Sequence, residues 1–360
     1  MNRFFGIFTV LTVAVIMAGC TGRKGEDESH MERMENGKEV ISVSTDNKIT
    51  ELEGGLSAVT FTGDYGFDDF ISQGGASSDR DVIDFIKNNL IGNTDISFDG
   101  DIFGCSTIAV QGADGERLFG RNFDWNNCNA LIVKGEPDNG YESISTVNMD
   151  FIKAGTGFII NSLPDNIKTI AALYAPLDGM NEKGLCIAVN MIQDQDTIEQ
   201  NSDKPDITTT TAIRLILDKA ANTDEAVELL KTYDMHASMG MMIHFAISDA
   251  EGKSVAVEYV NNEMIVTDTP VLTNFYVSEG DKKGMGSDQS HERFEIMTKA
   301  LEDNTSMTEE QMKDTLDSVS KDNFNEFEST EWSIVFNQTK GEVSYYHREN
   351  YDKAYTFNLK

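Results

Sequence analysis

Residues 104–125 read GCSTIAVQGADGERLFGRNFDW and carry a thiol at Cys105, a guanidinium at Arg121 and a carboxylate at Asp124. A free thiol titrates at about 8.5, so little of it is nucleophilic thiolate at neutral pH. A neighbouring guanidinium lowers that value and raises the reactive fraction. A histidine commonly supplies the base for such a nucleophile, and this stretch has none. One base is available without it: the α-amino group of Cys105 itself, freed by cutting the bond to Gly104. An α-amine titrates at about 8, which suits a general base at neutral pH. Glycine at 104 would give the backbone the freedom that attack by Cys105 on the preceding carbonyl demands.

A hairpin must bring these groups together. Alternating apolar residues flank Asp114-Gly115, a pair suited to a tight primed turn. That turn sets Cys105 opposite Asp124, with Arg121 close by. Arg121 and Asp124 differ in parity, so a regular strand sends them to opposite faces. A bulge or bend near Gly120 is therefore expected.

Before the hairpin, SSDRDVIDFIKNNLIG (77–92) has an N-cap cluster, apolar residues at helical spacing and Gly92 as a stop. After it, GLCIAVNMI (184–192) reads as a strand, and residues 239–268 read as three strands with turns at Ala250–Gly252 and Asn261-Asn262. Three more strands lie near the C-terminus. Between them, residues 208–233 read as two helices, followed by helices over 287–303 and 307–321. Meander strands with helix pairs inserted give an α+β layered fold.

The chain of 360 residues is 39% hydrophobic, enough for one large or two ordinary cores. Its 61 acidic and 29 basic residues give a net charge of −32, which repels nucleic acid and argues against it as a partner. The first residues, MNRFFGIFTVLTVAVIMAGC, have one arginine, an apolar run too short to span a bilayer and then small residues. Ala18-Gly19-Cys20 resembles the lipobox of bacterial lipoproteins, in which the cysteine is acylated. This divides the chain into a signal peptide (1–19), a charged tether (20–40), a lead-in segment (41–104) and a catalytic domain (105–360). The expected location is the cell membrane, lipid-anchored through Cys20 on its extracytoplasmic side. With Cys20 acylated, Cys105, Cys128 and Cys186 remain, an odd number, and whether Cys128 pairs with Cys186 is open. The cysteines and five histidines show no metal-binding spacing. No metal and no cofactor is expected, and His244 in MMIHFAIS reads as a strand histidine.

Cys105-Ser106-Thr107, the Asp114-Gly115 turn and Phe119-Gly120-Arg121-Asn122-Phe123-Asp124 together resemble the active-site hairpin of the choloylglycine hydrolase family. Further similarities follow in order along the chain: DGMNEKGLCIAVNM (178–191), VLTN (271–274), SHERF (290–294) and TEWSIVFNQTKGEVSYY near the C-terminus. That family belongs to the N-terminal nucleophile hydrolases and includes bile salt hydrolases, penicillin V acylases and acid ceramidase-like amidases. The resemblance implies a four-layer αββα fold, with two antiparallel sheets between helical layers. It also implies hydrolysis of a linear amide C–N bond in a small N-acyl substrate.

By the same resemblance, Cys105 is the nucleophile after cleavage at Gly104-Cys105, Arg121 stabilises the thiolate and Asp124 holds the ammonium. Asn190 falls on the oxyanion-hole asparagine, although its strand is one residue short of the family pattern. Asn274 and Arg293 complete the shell. Two features depart from the bile salt hydrolases: the 104 residues before the cysteine and the FDWNNC sequence containing Trp125. The lead-in is expected to stay attached after cleavage, chiefly through the amphipathic helix near Val82–Leu90. An acyltransferase on the same fold and a non-catalytic ligand-binding lipoprotein are the alternatives.

Overall fold

The computed structural model describes residues 30–35, 37–92, 94–100, 104–154, 158–159, 163–324 and 329–359. The signal peptide and Cys20 lie outside them. Among the described residues no helix is long and apolar enough to cross a membrane.

Two large sheets form the centre. Across the first, the strands run His30–Glu35, Lys38–Val43, Lys353–Asn358, Glu342–His347, Ser329–Asn337, Arg117–Trp125, Gly104–Gln111 and Val271–Leu272. Across the second they run Glu263–Asp268, Ser254–Val260, Ile243–Ser248, Cys186–Met191, Asp178–Asn181, Ser143–Asn148, Ala130–Glu136, Leu56–Thr62 and Thr50–Glu53. Helices Asp165–Leu173, Thr209–Lys219 and Thr223–Leu230 cover the second sheet, and Asp288–Asp303 and Glu309–Ser318 cover the first. Strand Cys186–Met191 meets strand Gly104–Gln111 between the sheets. The order of layers is αββα.

Local sequence explains most of these elements. Helix Asp288–Asp303 starts where the Ser287 side chain accepts from the Ser290 amide, and Glu309–Ser318 starts on a Thr308–Gln311 capping box. Asn261 and Asn262 both take positive φ, at 52° and 64°, as the primed turn between two strands requires. The central strands are buried on both faces because each lies between another sheet and a helical layer, so their sequences are nearly continuous apolar runs.

Three expectations change. Part of the 20–40 segment is strand, since His30–Glu35 pairs with Lys38–Val43 in a hairpin. The sheets are not wholly antiparallel: Lys38–Val43 pairs parallel to Lys353–Asn358, and Leu56–Thr62 pairs parallel to Ala130–Glu136. Lys38–Val43 straddles the tether and the lead-in and Leu56–Thr62 belongs to the lead-in, so the residues before Cys105 supply a strand to each sheet. The helix Asp79–Ile86, with a wider π turn to Ile91 before Gly92, is therefore one contact among several. It buries Val82, Ile83 and Ile86, while Phe85 packs edge-on against Phe70 and near Tyr174.

Candidate active site

The hairpin register differs by one from the sequence expectation. Gly104 lies opposite Asp124 and Cys105 opposite Phe123. The cause is the turn. The Gly112 amide donates to the Glu116 carbonyl (2.8 Å), and Gly115 takes φ +88°, so three residues close the hairpin instead of two. The new register places Cys105, Thr107, Arg121 and Phe123 on one face, toward the second sheet, and Gly104 and Asp124 on the other.

No bulge occurs near Gly120 in this hairpin. The irregularity lies in the neighbouring strand, between Thr330 and Trp332, opposite Asp124 and Phe123. Asp124 needs no bend because its partners lie on its own face of the strand. Its carboxylate accepts from the Thr330 hydroxyl (2.7 Å) and from Arg293 Nη1 (3.1 Å). It also crowds Gly104, where a Cβ would stand 3.0 Å from Asp124 Oδ2 and 3.1 Å from Lys321 Cε. Gly104 has no positive φ. A larger residue there would have to push the Asp124 or Lys321 side chain aside by a few tenths of an ångström.

The six residues expected from the sequence converge. The Cys105 amide donates to Asn274 Oδ1 (2.9 Å), and its carbonyl accepts from Arg293 Nη1 (2.8 Å). Arg293 Nη2 donates to the same Asn274 oxygen (2.7 Å), while Asn274 Nδ2 donates to the Met191 carbonyl (2.7 Å). On the sulfur face Arg121 donates to Asn190 Oδ1 (2.7 Å), the Val189 carbonyl (2.8 Å) and Asp178 Oδ2 (3.4 Å). Asn190 therefore belongs to the site despite its shortened strand. Its Nδ2 is buried and has no hydrogen-bond partner among the described residues. A buried donor without an acceptor is costly unless a ligand or an intermediate supplies one.

Cys105 is fully buried in the uncut chain. Burial pushes its thiol up to about 11, against the pull of Arg121. Cys128 and Cys186 are also buried free thiols, so the open disulfide question resolves to none in this structure.

Sequence reasoning missed Asp178 and Trp332. Asp178 is buried against the Arg121 guanidinium and accepts from Trp332 Nε1 (2.9 Å). The Trp332 ring stacks on Phe123 with centroids 4.0 Å apart, and the Arg121 guanidinium lies 5.8 Å from the Phe123 centroid. Asp178 opens the DGMNEKGL segment and Trp332 sits in TEWSIVF, so both were within quoted motifs. Nothing local in either motif marks them as partners of an arginine more than fifty residues away.

The sequence profile of the acyl-coenzyme A:6-aminopenicillanic acid acyl-transferase family matches residues 165–352, just over half of the 360-residue chain. The chain belongs to that family. The matched range holds Asp178, Asn190, Asn274 and Arg293 and begins after the Cys105 hairpin. A bile salt hydrolase/transferase of Clostridium perfringens (strain 13 / Type A) is 29% identical over 184 residues, 47% of this chain and 53% of that protein. The alignment thus spans about half the length of that relative. Among solved structures, a mutant of conjugated bile acid hydrolase from Clostridium perfringens superposes with a TM-score of 0.52 at 19% identity, covering 71% of this chain and 92% of its own. A second variant of the same protein gives 0.51 at 17% identity, with the same coverages. Penicillin V acylase from Agrobacterium tumefaciens gives 0.48 at 18% identity, covering 68% and 83%. The αββα layering is the N-terminal nucleophile hydrolase fold.

Proposed function

We propose that this protein is an amidohydrolase that cleaves the linear C–N bond of an N-acyl substrate, with Cys105 as its N-terminal nucleophile. The observation that carries this reading is the set of groups gathered around the main-chain nitrogen of Cys105. Asn274 Oδ1 accepts from it, and the Asp124 carboxylate lies against Gly104, on the far side of the bond that would be cut. An ordinary cysteine enzyme has no use for an anion beside its own backbone. An enzyme whose base is the α-ammonium of that cysteine does.

Maturation comes first. Cys105 Sγ attacks the Gly104 carbonyl, and the acyl group shifts from nitrogen to sulfur. Water hydrolyses the thioester, leaving a carboxylate on Gly104 and a free amine on Cys105. In turnover Sγ attacks the substrate carbonyl while its proton passes to that amine. The negative oxygen meets the Asn190 amide, whose Nδ2 has no other partner among the described residues. One such donor is worth about 3 kcal/mol. The C–N bond then breaks, the leaving amine takes the proton from the Cys105 ammonium, and water releases the acid and restores the thiol. An acyltransferase reaction differs only in the last step, where an amine replaces water.

Before cleavage Cys105 has no free α-amine to take the thiol's proton, and burial holds that thiol above its ordinary value. The lead-in stays bound afterwards, supported by its strands in both sheets, by Glu53 paired with His347 and Lys353, and by the Tyr65 hydroxyl hydrogen-bonded to Asp218. Export and acylation at Cys20 rest on the first twenty residues of the sequence. A Cys20→Ser variant should lose label from radioactive palmitate and leave the membrane fraction.

The test of function is direct. N-terminal sequencing of the large fragment should give Cys105, and Cys105→Ala should run as one uncut band without activity. Purified enzyme is then given a bile salt, penicillin V, an N-acyl amino acid and a long-chain N-acyl amide, each with and without added amine. Release of free acid identifies the hydrolase, and acyl transfer to the amine identifies the alternative. An uncut wild type with an unreactive Cys105 would point to a ligand-binding protein.

A further inference from the structure

We infer that His244 is a positioning residue for the Cys105 amine, acting through the Thr273–Asn274 peptide. This rests on the reading of Cys105 as an N-terminal nucleophile.

His244 stands opposite Asn190 in adjacent strands of the second sheet, so both side chains leave the sheet on the face toward Cys105. It is fully buried. Its Nδ1 lies 2.9 Å from Glu258 Oε1, and its Nε2 lies 2.8 Å from the Thr273 carbonyl oxygen. A carbonyl and an ionised carboxylate only accept hydrogen bonds, so these surroundings assign a proton to each ring nitrogen. Glu258 is ionised. Although burial alone would raise its pKa, the His244 hydrogen bond and charge, with the Ser278 and Val277 amides, draw it down to about 2. With both nitrogens donating, His244 has no lone pair to offer a thiol. It is not the missing general base.

What it holds is one peptide unit. The Thr273 carbonyl accepts from His244 Nε2, and the amide of the same peptide, Asn274 N–H, donates to Ser290 Oγ (2.6 Å). Both ends of the unit are thereby fixed, and the Cα of Asn274 with them. From that anchor the Asn274 side chain reaches the Cys105 nitrogen, Arg293 Nη2 and the Met191 carbonyl. A rigid ring with a donor on each side spans from Glu258 to Thr273. A neutral amide side chain supplies only one of the two contacts. The charged or titratable groups facing this unit are Glu258 from the adjacent strand and Arg293 from helix Asp288–Asp303. Tyr276, in the loop after Asn274, feels the Glu258 charge.

Two substitutions in the full-length chain separate the contacts. The His244→Gln amide nitrogen reaches as far as Nε2 and keeps the Thr273 contact. The His244→Asn amide reaches only as far as Nδ1 and keeps the Glu258 contact. His244→Asn should lower kcat about 100-fold, the scale of a misplaced catalytic group, with KM nearly unchanged. It should also shift the acidic limb of the pH–rate profile, which reports the amine. His244→Gln should retain most of kcat and the wild-type limb. Crystal structures supply a readout independent of activity: in His244→Asn the Asn274 oxygen should leave the Cys105 nitrogen, and in His244→Gln it should stay. Equal activity of the two variants, or an unmoved Asn274 in both, overturns the proposal. If His244→Asn fails to fold, Ser290→Ala releases the other end of the same peptide, and it must show the same shift of the acidic limb or the proposal falls. A wild type without an N-terminal Cys105 and without amidase activity defeats the functional reading alone.

Discussion

The two faces of the Cys105 hairpin hold their charges differently. On the face toward the second sheet, Arg121 is buried between Asp178, Asn190 and the Val189 carbonyl, with Phe123 and Trp332 stacked beside it. Every partner there fixes a guanidinium next to the sulfur. On the opposite face, Arg293 donates to the Cys105 carbonyl and to Asp124, whose carboxylate also accepts from Thr330, and Asn274 accepts from the Cys105 amide. Under the proposed mechanism the first set acts on the thiol and the second on the amine. Because a strand sends alternate residues to opposite sides, one hairpin would tune the proposed nucleophile and base separately.

The largest test of that separation is Asp124→Asn. It keeps an acceptor for the Thr330 hydroxyl but removes the anion that would hold the Cys105 ammonium. Turnover should fall about a thousandfold, within the range that acid–base catalysis supplies. The acidic limb of kcat/KM should move to lower pH, because an amine without its carboxylate loses protons more readily. The pH profile for alkylation of the Cys105 thiol should stay in place; a shift there would merge the two faces.

Arg121→Lys probes the other face. Lysine keeps the charge but cannot donate to Asp178, Asn190 and the Val189 carbonyl from one plane. A fall in turnover of about 100-fold is expected. Iodoacetamide labelling of mature enzyme across pH should show the thiol profile displaced to higher pH, with the amine limb unmoved. A displaced amine limb would break the comparison.

Asp178→Asn should be milder, about tenfold in turnover, since it acts on Arg121 and touches neither sulfur nor substrate. Its amide oxygen can still accept from Trp332. Full activity in this variant would mean that Asn190 and the Val189 carbonyl suffice to hold Arg121.

The smallest effect on turnover, and one read in stability, concerns Glu258. Its pKa in the folded state is about 2, below its ordinary 4.5. A carboxyl depressed by folding stabilises the protein fully above its ordinary value and loses that contribution as pH falls through the folded value. Melting temperatures measured from pH 5 to pH 2 should therefore fall in the wild type, in part through this group. Glu258→Gln should start lower and fall less steeply. Parallel curves would show that Glu258 contributes nothing to the acid limb.

Some of the site was legible before the fold was known. The grouping of Cys105, Arg121 and Asp124 was readable because the three lie in one short hairpin whose residue types limit the chemistry, whereas Asn190, Asn274 and Arg293 were reached only through the resemblance of their motifs to the family. Helix starts at Ser287 and Thr308 were readable because a cap is a contact between residues three apart. The Asp114-Gly115 turn was recognised, yet its length was not. Two-residue and three-residue loops share the same glycine, and the choice between them moves every cross-strand pair by one.

By itself, then, the sequence determined which chemical groups exist, their order along the chain, and the local periodicities that make strands and helices. Those properties depend on neighbours within a few residues. Only the tertiary structure decided that Asp178 and Trp332 enclose Arg121, that His244 reaches Thr273, and that the lead-in joins both sheets through parallel strands. These contacts join residues between 29 and 314 positions apart. They form because buried polar groups must find partners and sheet edges must find strands, wherever in the chain those lie.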